Sequence, residues 1–325
     1  MEPCFWMGGR LATGLERISH DISSLQDPGF WAVVGTFENS WTLAKFREVK
    51  DSPLPRSKHQ WQGVQLSDWE SSHSKNSYMF YVENIKERIS MGDVYQVNAC
   101  RTLKAINSAN QSLLPLAHRI KEGNPAPFAS YLSLPEIELT SASPERFIEL
   151  KDGVVLSSPI KGTSATEEFL EKDHAENLMI VDLIRNDVGK VAKVGTVTTP
   201  RLLATEAHPG LFHLVSDVRA ELDEKFDVVD VLKAMMPPGS VSGAPKSSAL
   251  KIISQNEGER GPYCGAIGWV ENGHAELAVG IRTFWQGVDN YLRFGTGAGI
   301  TWGSDPELEW EETELKARRL IGLAQ

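Results

Sequence analysis

The residue of this sequence best placed for covalent chemistry is a lysine at the end of a predicted strand. The apolar run Val154-Val155-Leu156 predicts a buried strand, and Gly162-Thr163-Ser164 predicts the turn that ends it. Between them lies Lys161, in the pentapeptide Pro159-Ile160-Lys161-Gly162-Thr163. If its side chain points inward, the loss of water favours the neutral amine, which is a nucleophile. The alternative is a surface lysine whose stem covers apolar area while its ammonium group stays in water.

A carboxylate on the apolar face of a predicted helix is the second candidate. Between residues 171 and 188, Glu176, Ile180, Leu183 and Asp187 recur at spacings that place them on one helical face. Glu176 therefore shares a face with aliphatic side chains, where a carboxylate needs a partner.

The last predicted helix carries a similar acid. It begins at Ser304-Asp305-Pro306-Glu307, which has a capping-box pattern, and it places Leu308, Glu312 and Leu315 on one inward face. Two inward carboxylates that folding brings together suit Mg²⁺, which binds through one or two carboxylates, several waters and an anionic substrate. The alternative is that Glu312 and Lys316 form a surface pair one helical turn apart, worth roughly 0.2–0.5 kcal/mol.

Two further features could bind an anion. The run Gly295-Thr296-Gly297-Ala298-Gly299 lacks the spacing of a nucleotide-binding loop and is typical of a tight turn, although N–H groups exposed by glycines also bind carboxylates. Arg282, in a strand-like segment, would be costly to bury alone. It therefore meets either an anionic ligand or one of the chain's own acids.

Composition limits the class of protein. With 325 residues, 41% hydrophobic and 23% charged, the chain can form one large domain or two closely joined ones. A net charge of -10 argues against nucleic acid or an anionic membrane as a partner. The N-terminus has no basic leader and no apolar stretch is long enough to span a membrane, so we expect a cytoplasmic protein. Cys4, Cys100 and Cys264 are far apart and indicate neither a disulfide framework nor a zinc site.

Strand patterns with helices between them predict an α+β fold. Alternating residues from 30 to 46 predict a β-hairpin, and helical spacing predicts a helix at residues 75–90. A polar, serine-rich segment at residues 67–75 marks a boundary between a strand-rich segment, residues 1–70, and the main body, residues 71–325. Further strands are predicted at residues 95–103, 130–134, 147–150, 265–271, 276–285 and 291–294.

These features belong to an ordered set of motifs that resembles the chorismate-utilising enzymes. The resemblance extends from about residue 75 to the C-terminus. The motifs are Gly92-Asp93-Val94-Tyr95-Gln96-Val97-Asn98, Ser141-Ala142-Ser143-Pro144-Glu145, the Lys161 pentapeptide, the segment from Glu176 to Asp187, His213-Leu214-Val215-Ser216, Ser242-Gly243-Ala244-Pro245-Lys246, Gly280-Ile281-Arg282-Thr283, the glycine run, and the segment from Glu309 to Lys316. Within this family Lys161 makes the chain similar to aminodeoxychorismate synthase component I, because anthranilate synthase component I has alanine there.

The resemblance implies a fold and a reaction. The fold is the layered one of anthranilate synthase component I, with large, mostly antiparallel sheets packed face to face and helices outside. Lys161 would attack C2 of chorismate while Glu145, the general acid, protonates the departing C4 hydroxyl. Ammonia would then add at C4 and expel the lysine, which gives 4-amino-4-deoxychorismate for para-aminobenzoate and folate synthesis.

The resemblance also implies binding roles. Glu176 and Glu312 would bind Mg²⁺, with Glu309 as a helper through water. Arg282 would bind the enolpyruvyl carboxylate with Tyr263 beside it, and further substrate contacts would come from Thr296, Gly297, Ala298, Gly299 and Lys316. His213 either takes part in catalysis, as its counterpart does in aromatisation by anthranilate synthases, or only lines the site. Lys246 would be structural or electrostatic. Isochorismate and salicylate synthases carry a water-activating lysine at the position of Gln96, so glutamine there argues against water as the nucleophile.

Ammonia has to come from a second protein, because no cysteine lies in a predicted nucleophile turn. The resemblance implies a separate glutamine amidotransferase subunit. Two other functions stay open: anthranilate synthase component I, and a non-catalytic chorismate-binding subunit. The presence of Lys161, Glu145, Glu176 and Glu312 together argues against the second.

Overall fold

Antiparallel strands make up most of the structure. In the computed structural model, which describes residues 2–107, 111–164, 166–208 and 211–325, the chain forms six α-helices and an 18-stranded sheet. The helices are α1 Lys75–Ser90, α2 Leu114–Gly123, α3 Glu171–Gly189, α4 Val228–Met235, α5 Lys246–Asn256 and α6 Pro306–Leu323. The strands are β1 Cys4–Met7, β2 Arg10–Ser19, β3 Phe30–Gly35, β4 Trp41–Asp51, β5 Glu70–Ser71, β6 Gln96–Ile106, β7 Phe128–Ser133, β8 Glu138–Ser143, β9 Arg146–Lys151, β10 Val154–Ser158, β11 Ile160–Ser164, β12 Thr198–His208, β13 Leu211–Glu221, β14 Gly243–Ala244, β15 Ala266–Glu271, β16 His274–Val279, β17 Thr283–Gln286 and β18 Tyr291–Ile300.

The strands follow one hydrogen-bonded series. From β6, which also pairs with β5 and β14, neighbours run through β18, β17, β8, β7, β1, β2, β4, β3, β15, β16, β9 and β10 to β13. β13 pairs with β10, β11 and β12. All of these pairings are antiparallel, so the α+β fold with large antiparallel sheet structure is confirmed. The N-terminal strands β1 to β4 lie in the middle of this series, and the division at residue 70 remains a prediction.

Two apolar clusters form the core. The larger surrounds the central strands, where Trp31, Ile148, Ile267 and Leu277 are buried, and α3 and α4 pack against it. The smaller lies beside β1, β7, β8, β17 and β18 and includes Tyr131 and side chains of α2 and α6. Alternating burial along the strands fixes which side chains face each cluster. No helix in the described parts of the chain is long and apolar enough to cross a membrane.

Most predicted elements are confirmed, and four are corrected. The hairpin of β3 and β4 and the helices α1 and α3 form where the pattern predicts them. The predicted turn at residues 162–164 is instead strand β11. The predicted strand at residues 276–285 divides into β16 and β17, because the backbone of Arg282 adopts a positive φ of 53° between them.

The glycine run is a strand and not a tight turn. Gly295 to Gly299 lie inside β18, in continuous register with β6. A Cβ atom on Gly295 would stand 2.1 Å from the Tyr263 ring, and one on Gly299 would stand 2.4 Å from Gln96 Nε2. The glycines therefore serve close approach by neighbouring groups and not turn formation.

The start and the inward face of α6 also differ from the prediction. Asp305 caps the helix by accepting hydrogen bonds from the backbone N–H groups of Glu307 and Leu308, at 3.0 and 3.1 Å, so the capping box is not formed. Leu308 and Leu315 are exposed. The helix packs through Thr313, Ala317, Leu320 and Ile321, so the face that carries Glu312 is not the core face.

Candidate active site

Lys161 lies among carboxylates contributed by different elements. It stands in β11, where α3 passes directly over the next residue: a Cβ atom on Gly162 would come within 3.0 Å of Asp173 Cβ. Burial lowers the pKa of the Lys161 ammonium group, while the negative charges of Glu176 and Glu145 act in the opposite direction. A lowered pKa increases the fraction of neutral amine, as a nucleophilic lysine requires.

Glu145 is the buried acid of this site. It follows β8 and is 4% exposed, and its backbone is fixed because Val279 N donates to Glu145 O at 3.0 Å. Burial raises the pKa of Glu145 to about 7, against the lowering effects of a hydrogen bond from Ser240 and the charge of Lys161. A carboxyl group with such a pKa is still partly protonated near neutral pH, so it can act as a general acid.

The second group of carboxylates lies where α3 and α6 meet. Burial raises the pKa of Glu176, and the nearby charge of Glu312 adds to the effect. Burial also raises the pKa of Glu309, to which Ser304 donates a hydrogen bond. For Glu312, burial acts to raise the pKa, but the ammonium group of Lys316 outweighs it and lowers the pKa. Folding thus brings the predicted acids near one another. The pattern in α3 correctly predicts the helix face that carries Glu176, whereas the pattern in α6 does not predict the face that carries Glu312.

Lys316 links this group to the glycine run. Its Nζ lies 2.6 Å from Glu312 Oε1 and donates to Gly297 O at 3.1 Å. The predicted surface pair of Glu312 and Lys316 is therefore present, and it also reaches β18. The charges nearly balance, because four acidic groups lie near three lysines: Asp173, Glu176, Glu309 and Glu312 with Lys161, Lys172 and Lys316.

The carboxylates could bind a magnesium ion only together with ligands from outside the protein. Within the ranges that the structure describes, no three side chains of His, Cys, Asp or Glu are grouped so that they could hold a metal by themselves. Mg²⁺ does not need such a cage, since it keeps several waters and binds through one or two carboxylates plus an anionic substrate. Glu176 and Glu312 supply carboxylate oxygens of the kind that Mg²⁺ prefers, and Glu312 already pairs with the ammonium group of Lys316. The residues present therefore fit Mg²⁺.

Arg282 is a cation without an acidic partner. Its pKa is lowered by burial and by the nearby charge of Arg319. No carboxylate in the described segments forms an ion pair with its guanidinium group. The alternative that Arg282 pairs with one of the chain's own acids is therefore wrong, and an anionic ligand is the remaining partner that the sequence predicts.

Replacement of Arg282 by methionine should stabilise the protein and weaken ligand binding. Removing a poorly solvated, unpaired charge should raise the free energy of unfolding by about 1–2 kcal/mol. If Arg282 has its predicted role at the enolpyruvyl carboxylate, its loss should raise the dissociation constant for chorismate by roughly tenfold or more. Urea unfolding and calorimetric titration measure the two effects. Arg319→Met is the control, because Arg319 donates to Gly123 O at 2.5 Å, and it should leave chorismate binding intact. Tighter binding by Arg282→Met would contradict this role.

The other predicted substrate contacts surround β18. Tyr263 is buried against Gly295, and Cys100 Sγ lies 3.8 Å from its hydroxyl oxygen. The turn that carries Tyr263 is joined to the Arg282 segment by the hydrogen bond from Cys264 N to Gly280 O, at 2.8 Å. Thr296 Oγ1 donates to Thr313 O at 2.9 Å, so its side chain faces α6. The roles of Thr296, Gly297, Ala298 and Gly299 in binding substrate stay predictions.

His213 and Lys246 both follow Lys161 in the chain, and each has a described neighbour in the fold. His213 is buried on β13, where its Cα is paired with that of Thr163, two residues from the candidate nucleophile. Its part in catalysis stays a prediction. Lys246 forms an ion pair with Asp187, which agrees with a structural or electrostatic role.

Gln96 presents an unsatisfied amide to the site. The residue is 1% exposed, and neither Oε1 nor Nε2 has a hydrogen-bond partner in the described chain. Its Nε2 faces Gly299, and Glu176 Oε2 lies 3.9 Å from the position of a Cβ atom on that glycine. Buried amides are normally satisfied, so a group that enters from outside the chain is the natural partner.

Two residues of the site have no motif signal of their own. Ser240 donates a hydrogen bond to Glu145, and the charge of Lys172 lowers the pKa values of Glu176, Glu309 and Glu312. Ser240 stands two residues before Ser242, the first residue of the Ser242-Gly243-Ala244-Pro245-Lys246 motif, and Lys172 is one helical turn before Glu176. Spacing from Glu176 could have indicated Lys172, whereas the contact of Ser240 depends on tertiary folding.

Comparison with known sequences agrees with the motifs. The family model described as chorismate binding enzyme matches residues 34–322. Anthranilate synthase component 1 of Saccharolobus solfataricus is 40% identical over 270 residues, and aminodeoxychorismate synthase component 1 of Escherichia coli is 36% identical over 270 residues. Each alignment covers 78% of this chain, and it covers 63% and 59% of those relatives. The chain thus spans about three-fifths of the length of these relatives.

Solved structures share the fold. The menaquinone-specific isochorismate synthase of Escherichia coli superimposes with a TM-score of 0.80 at 20% identity, covering 99% of this chain and 89% of that one. Anthranilate synthase component I of Streptococcus pneumoniae gives a TM-score of 0.79 at 22% identity, covering 90% of this chain and 81% of that one. These similarities confirm the predicted anthranilate synthase component I-like fold.

Proposed function

Since this chain belongs to the family of chorismate binding enzymes, we propose that it aminates chorismate to 4-amino-4-deoxychorismate through a covalent bond to Lys161. The observation that carries the proposal is the buried position of Lys161, near enough to Glu145, Glu176 and Glu312 for their charges to act on its ammonium group. A lysine with a lowered pKa beside a carboxyl group with a raised one is a nucleophile beside a proton donor. The reaction requires that pair.

The proposed sequence of steps assigns one task to each of the two residues. Lys161 Nζ forms a bond to C2 of the ring, and the double bond shifts as the C4–O bond breaks. Glu145 gives its proton to the departing hydroxyl group, which leaves as water. Ammonia then forms a bond to C4, and the C2–Nζ bond breaks to release Lys161 as a neutral amine. The enolpyruvyl group is retained throughout.

Binding would rest on the remaining charged groups. Arg282, with Tyr263 nearby, would bind the enolpyruvyl carboxylate. Lys316 and the β18 backbone would contact the ring of the substrate. Mg²⁺, when bound to Glu176 and Glu312 with help from Glu309, would neutralise the ring carboxylate and fix its position. Mg²⁺ carries two positive charges and chorismate carries two negative charges. Binding both would therefore leave the near balance of charge between the acidic groups and the lysines unchanged.

Ammonia would come from a separate glutamine amidotransferase subunit. Cys4, Cys100 and Cys264 are all buried thiols, and burial raises the pKa of Cys4 to about 11 and also raises that of Cys100. Neither property suits a glutamine-hydrolysing nucleophile. Burial acts to raise the pKa of Cys264 as well, but a hydrogen bond with Cys100 and the charge of Arg260 lower it, so its burial alone argues against access by glutamine. The unsatisfied amide of Gln96 supports a nucleophile other than water, since it cannot act as a base.

Anthranilate synthesis is the second candidate. It is favoured by the anthranilate synthase relatives, which are as similar to this chain as the aminodeoxychorismate synthases are. Lys161 decides against it in the proposal, because anthranilate synthases have alanine at that position of the motif. The two candidates differ in outcome, since anthranilate formation releases pyruvate and gives a fluorescent product.

The test is product analysis with the purified chain. Chorismate, Mg²⁺ and ammonium at alkaline pH should give aminodeoxychorismate by mass spectrometry, while glutamine alone should give none. Pyruvate with a fluorescent product would identify anthranilate synthase activity instead. Absence of both products under conditions in which chorismate binds would support a non-catalytic binding subunit.

Glu312→Gln should weaken metal binding without unfolding the protein. The variant removes one of two charged oxygen ligands, so affinity for Mg²⁺ should fall by roughly tenfold or more. Calorimetric titration with the metal alone measures this without turnover. Glu311→Gln, which changes an exposed neighbour in α6, is the matched control and should bind normally. Excess chelator should abolish turnover of the wild type, and undiminished turnover in chelator would remove the metal from the proposal.

A further inference from the structure

Asp187 and Lys246, two motif residues that the proposed reaction does not use, form an ion pair near the general acid. Asp187, near the end of α3, forms an ion pair with Lys246 of the Ser242-Gly243-Ala244-Pro245-Lys246 motif, and Lys190 Nζ lies 2.8 Å from Asp187 Oδ1. Lys246 Nζ also donates to Met235 O and Pro237 O, at 2.9 and 2.8 Å. These contacts hold the segment between α4 and α5 against α3.

The segment between α4 and α5 places a serine near Glu145. A Cβ atom on Gly239 would stand 2.8 Å from Leu183 Cδ2, so the segment lies directly against α3. The next residue, Ser240, is 5% exposed, and it lines the same small cavity as Glu145, close enough for its hydroxyl group to lower the pKa of the Glu145 carboxyl group. The Asp187–Lys246 pair thus fixes the backbone from which this hydroxyl group reaches the acid.

A small cavity separates Glu145 from Asp187. It has about 10 Å³ open to the centre of a water-sized sphere, and its lining includes Glu145, Ser157, Asp187 and Ser240. This is room for about one water, and the polar lining offers the two to four hydrogen bonds that a buried water needs. Lys161 is not among the residues that line it, so the cavity contacts Glu145 away from the nucleophile.

The charged groups near Glu145 either take part in the reaction or are paired with other residues. A Glu145 carboxylate therefore depends on neutral hydrogen-bond donors. From β11 comes Lys161, which the reaction uses. From β9 comes Arg146, which lines the cavity but binds Glu149 and Glu276 at 3.0 and 2.9 Å. From α3 comes Asp187, whose charge is balanced by Lys190 and Lys246. Lys161 keeps a positive charge while it is bound to C2, and the neutral donors that can act on the Glu145 carboxylate beside it are the Ile160 N–H group, Ser240 and a water in the cavity.

We propose that this cavity is a proton-handling site, in which Ser240 and one water held by Asp187 hydrogen-bond Glu145 and stabilise its carboxylate between the two halves of the reaction. This inference rests on the proposed function. In the first half Glu145 loses its proton to the departing hydroxyl group and becomes a buried carboxylate. In the second half ammonia bonded at C4 carries one proton too many, and Glu145 takes it back. Atoms and charges balance without another reactant, and Ser240 is a positioning residue for the acid.

Infrared titration of the Glu145 carboxyl group tests the inference without turnover. The carbonyl band is assigned by its loss in Glu145→Gln, and its intensity against pH gives the midpoint. Ser240→Ala removes a donor to the carboxylate, so the midpoint should rise by about half to one pH unit. Ser240→Thr keeps the hydroxyl group and should restore the midpoint. Ser242→Ala is the matched control, because Ser242 is buried in the same segment but donates to Pro238 O at 3.1 Å.

Steady-state kinetics and a high-resolution crystal structure complete the test. Ser240→Ala should lower kcat about tenfold while KM for chorismate changes less than about twofold, since the hydroxyl group acts through Glu145 and not on substrate. A crystal structure should show one ordered water within hydrogen-bonding distance of Glu145 and Asp187, and an empty cavity would remove the water from the inference.

The two levels of the hypothesis fail differently. If Glu145→Gln aminates chorismate at the wild-type rate, the proposed function is wrong whatever Ser240 does. If Glu145→Gln is inactive but Ser240→Ala leaves the infrared midpoint unmoved, or shifts it no more than Ser242→Ala does, only the proton-handling site is wrong.

Discussion

The Lys161→Ala variant is expected to lose chorismate amination by about 10³-fold or more while it still binds chorismate. Covalent catalysis divides one difficult displacement into two easier ones, and alanine offers no atom for either. Substrate binding should persist, because Arg282 and the carboxylates of α3 and α6 are unchanged. Aminodeoxychorismate formation by mass spectrometry and calorimetric titration of chorismate measure the two properties.

A covalent intermediate should be visible when the second half of the reaction is prevented. With chorismate and Mg²⁺ but no ammonia, intact-protein mass spectrometry should show an adduct, and peptide mapping should place it on Lys161. The adduct should be absent from Lys161→Ala and also from Lys161→Arg, which keeps the positive charge but is no nucleophile. The arginine variant thus separates the charge of this residue from its chemistry.

Lys172→Ala is the matched control for the loss of a lysine near the carboxylates. Lys172 also lies near Glu176, but it is exposed on α3 and contacts no reacting atom in the proposed sequence. It should change metal affinity and leave the adduct on Lys161 intact. If Lys161→Ala aminates chorismate nearly as fast as the wild type, Lys161 has only an electrostatic role, and the choice of amination at C4 over anthranilate formation loses its main support.

The sequence predicts the acids of α3 and α6 with unequal success, for a physical reason. In α3, Glu176 lies on the same face as the buried residues Ile180 and Asp187, so apolar periodicity identifies its face correctly. In α6, Leu308 and Leu315 are exposed, and Glu312 faces other charged groups across the site. Periodicity reports which face packs against apolar neighbours, and it cannot report a face that meets a polar site.

The glycine run shows a second limit of sequence patterns. Several glycines close together are typical of a turn because glycine tolerates positive φ. In β18 the same residues are needed because the Tyr263 ring and the Gln96 amide approach the strand so closely that no Cβ atom fits. Those neighbours are distant in sequence, so only the folded chain distinguishes the two uses of glycine.

Contacts between motifs account for the rest of what the sequence does not predict. The motifs identify Glu145 and Lys246 separately, but not that Lys246 and Asp187 fix the segment whose Ser240 reaches Glu145. The unpaired state of Arg282 likewise depends on the absence of nearby acids in the folded, described chain. Residue types indicate what chemistry is available, and folding determines which groups remain without a partner and so are free to bind substrate.

The Glu145→Gln variant is expected to lose amination by about 10²- to 10⁴-fold, because glutamine cannot give a proton to the departing hydroxyl group. It should also change how stability depends on pH. The pKa of Glu145 is raised from 4.5 to about 7 in the folded protein, so between these values the folded chain holds a proton that the unfolded chain has released. The stability from this group is therefore fully present below pH 4.5 and is lost as pH rises to about 7, with a slope of up to about 1.4 kcal/mol per pH unit.

Urea unfolding at a series of pH values separates the effect of Glu145 on stability from that of the other carboxyl groups with raised pKa values. Glu176 and Glu309 contribute a loss of stability in the same direction in both proteins, so the difference between wild type and Glu145→Gln isolates Glu145. The wild type should become less stable relative to the variant as pH rises from 4.5 to about 7. Equal pH dependence of the two proteins would mean that Glu145 is already ionised in this range, and a carboxylate without its proton cannot be the general acid that the departure of the C4 hydroxyl group requires.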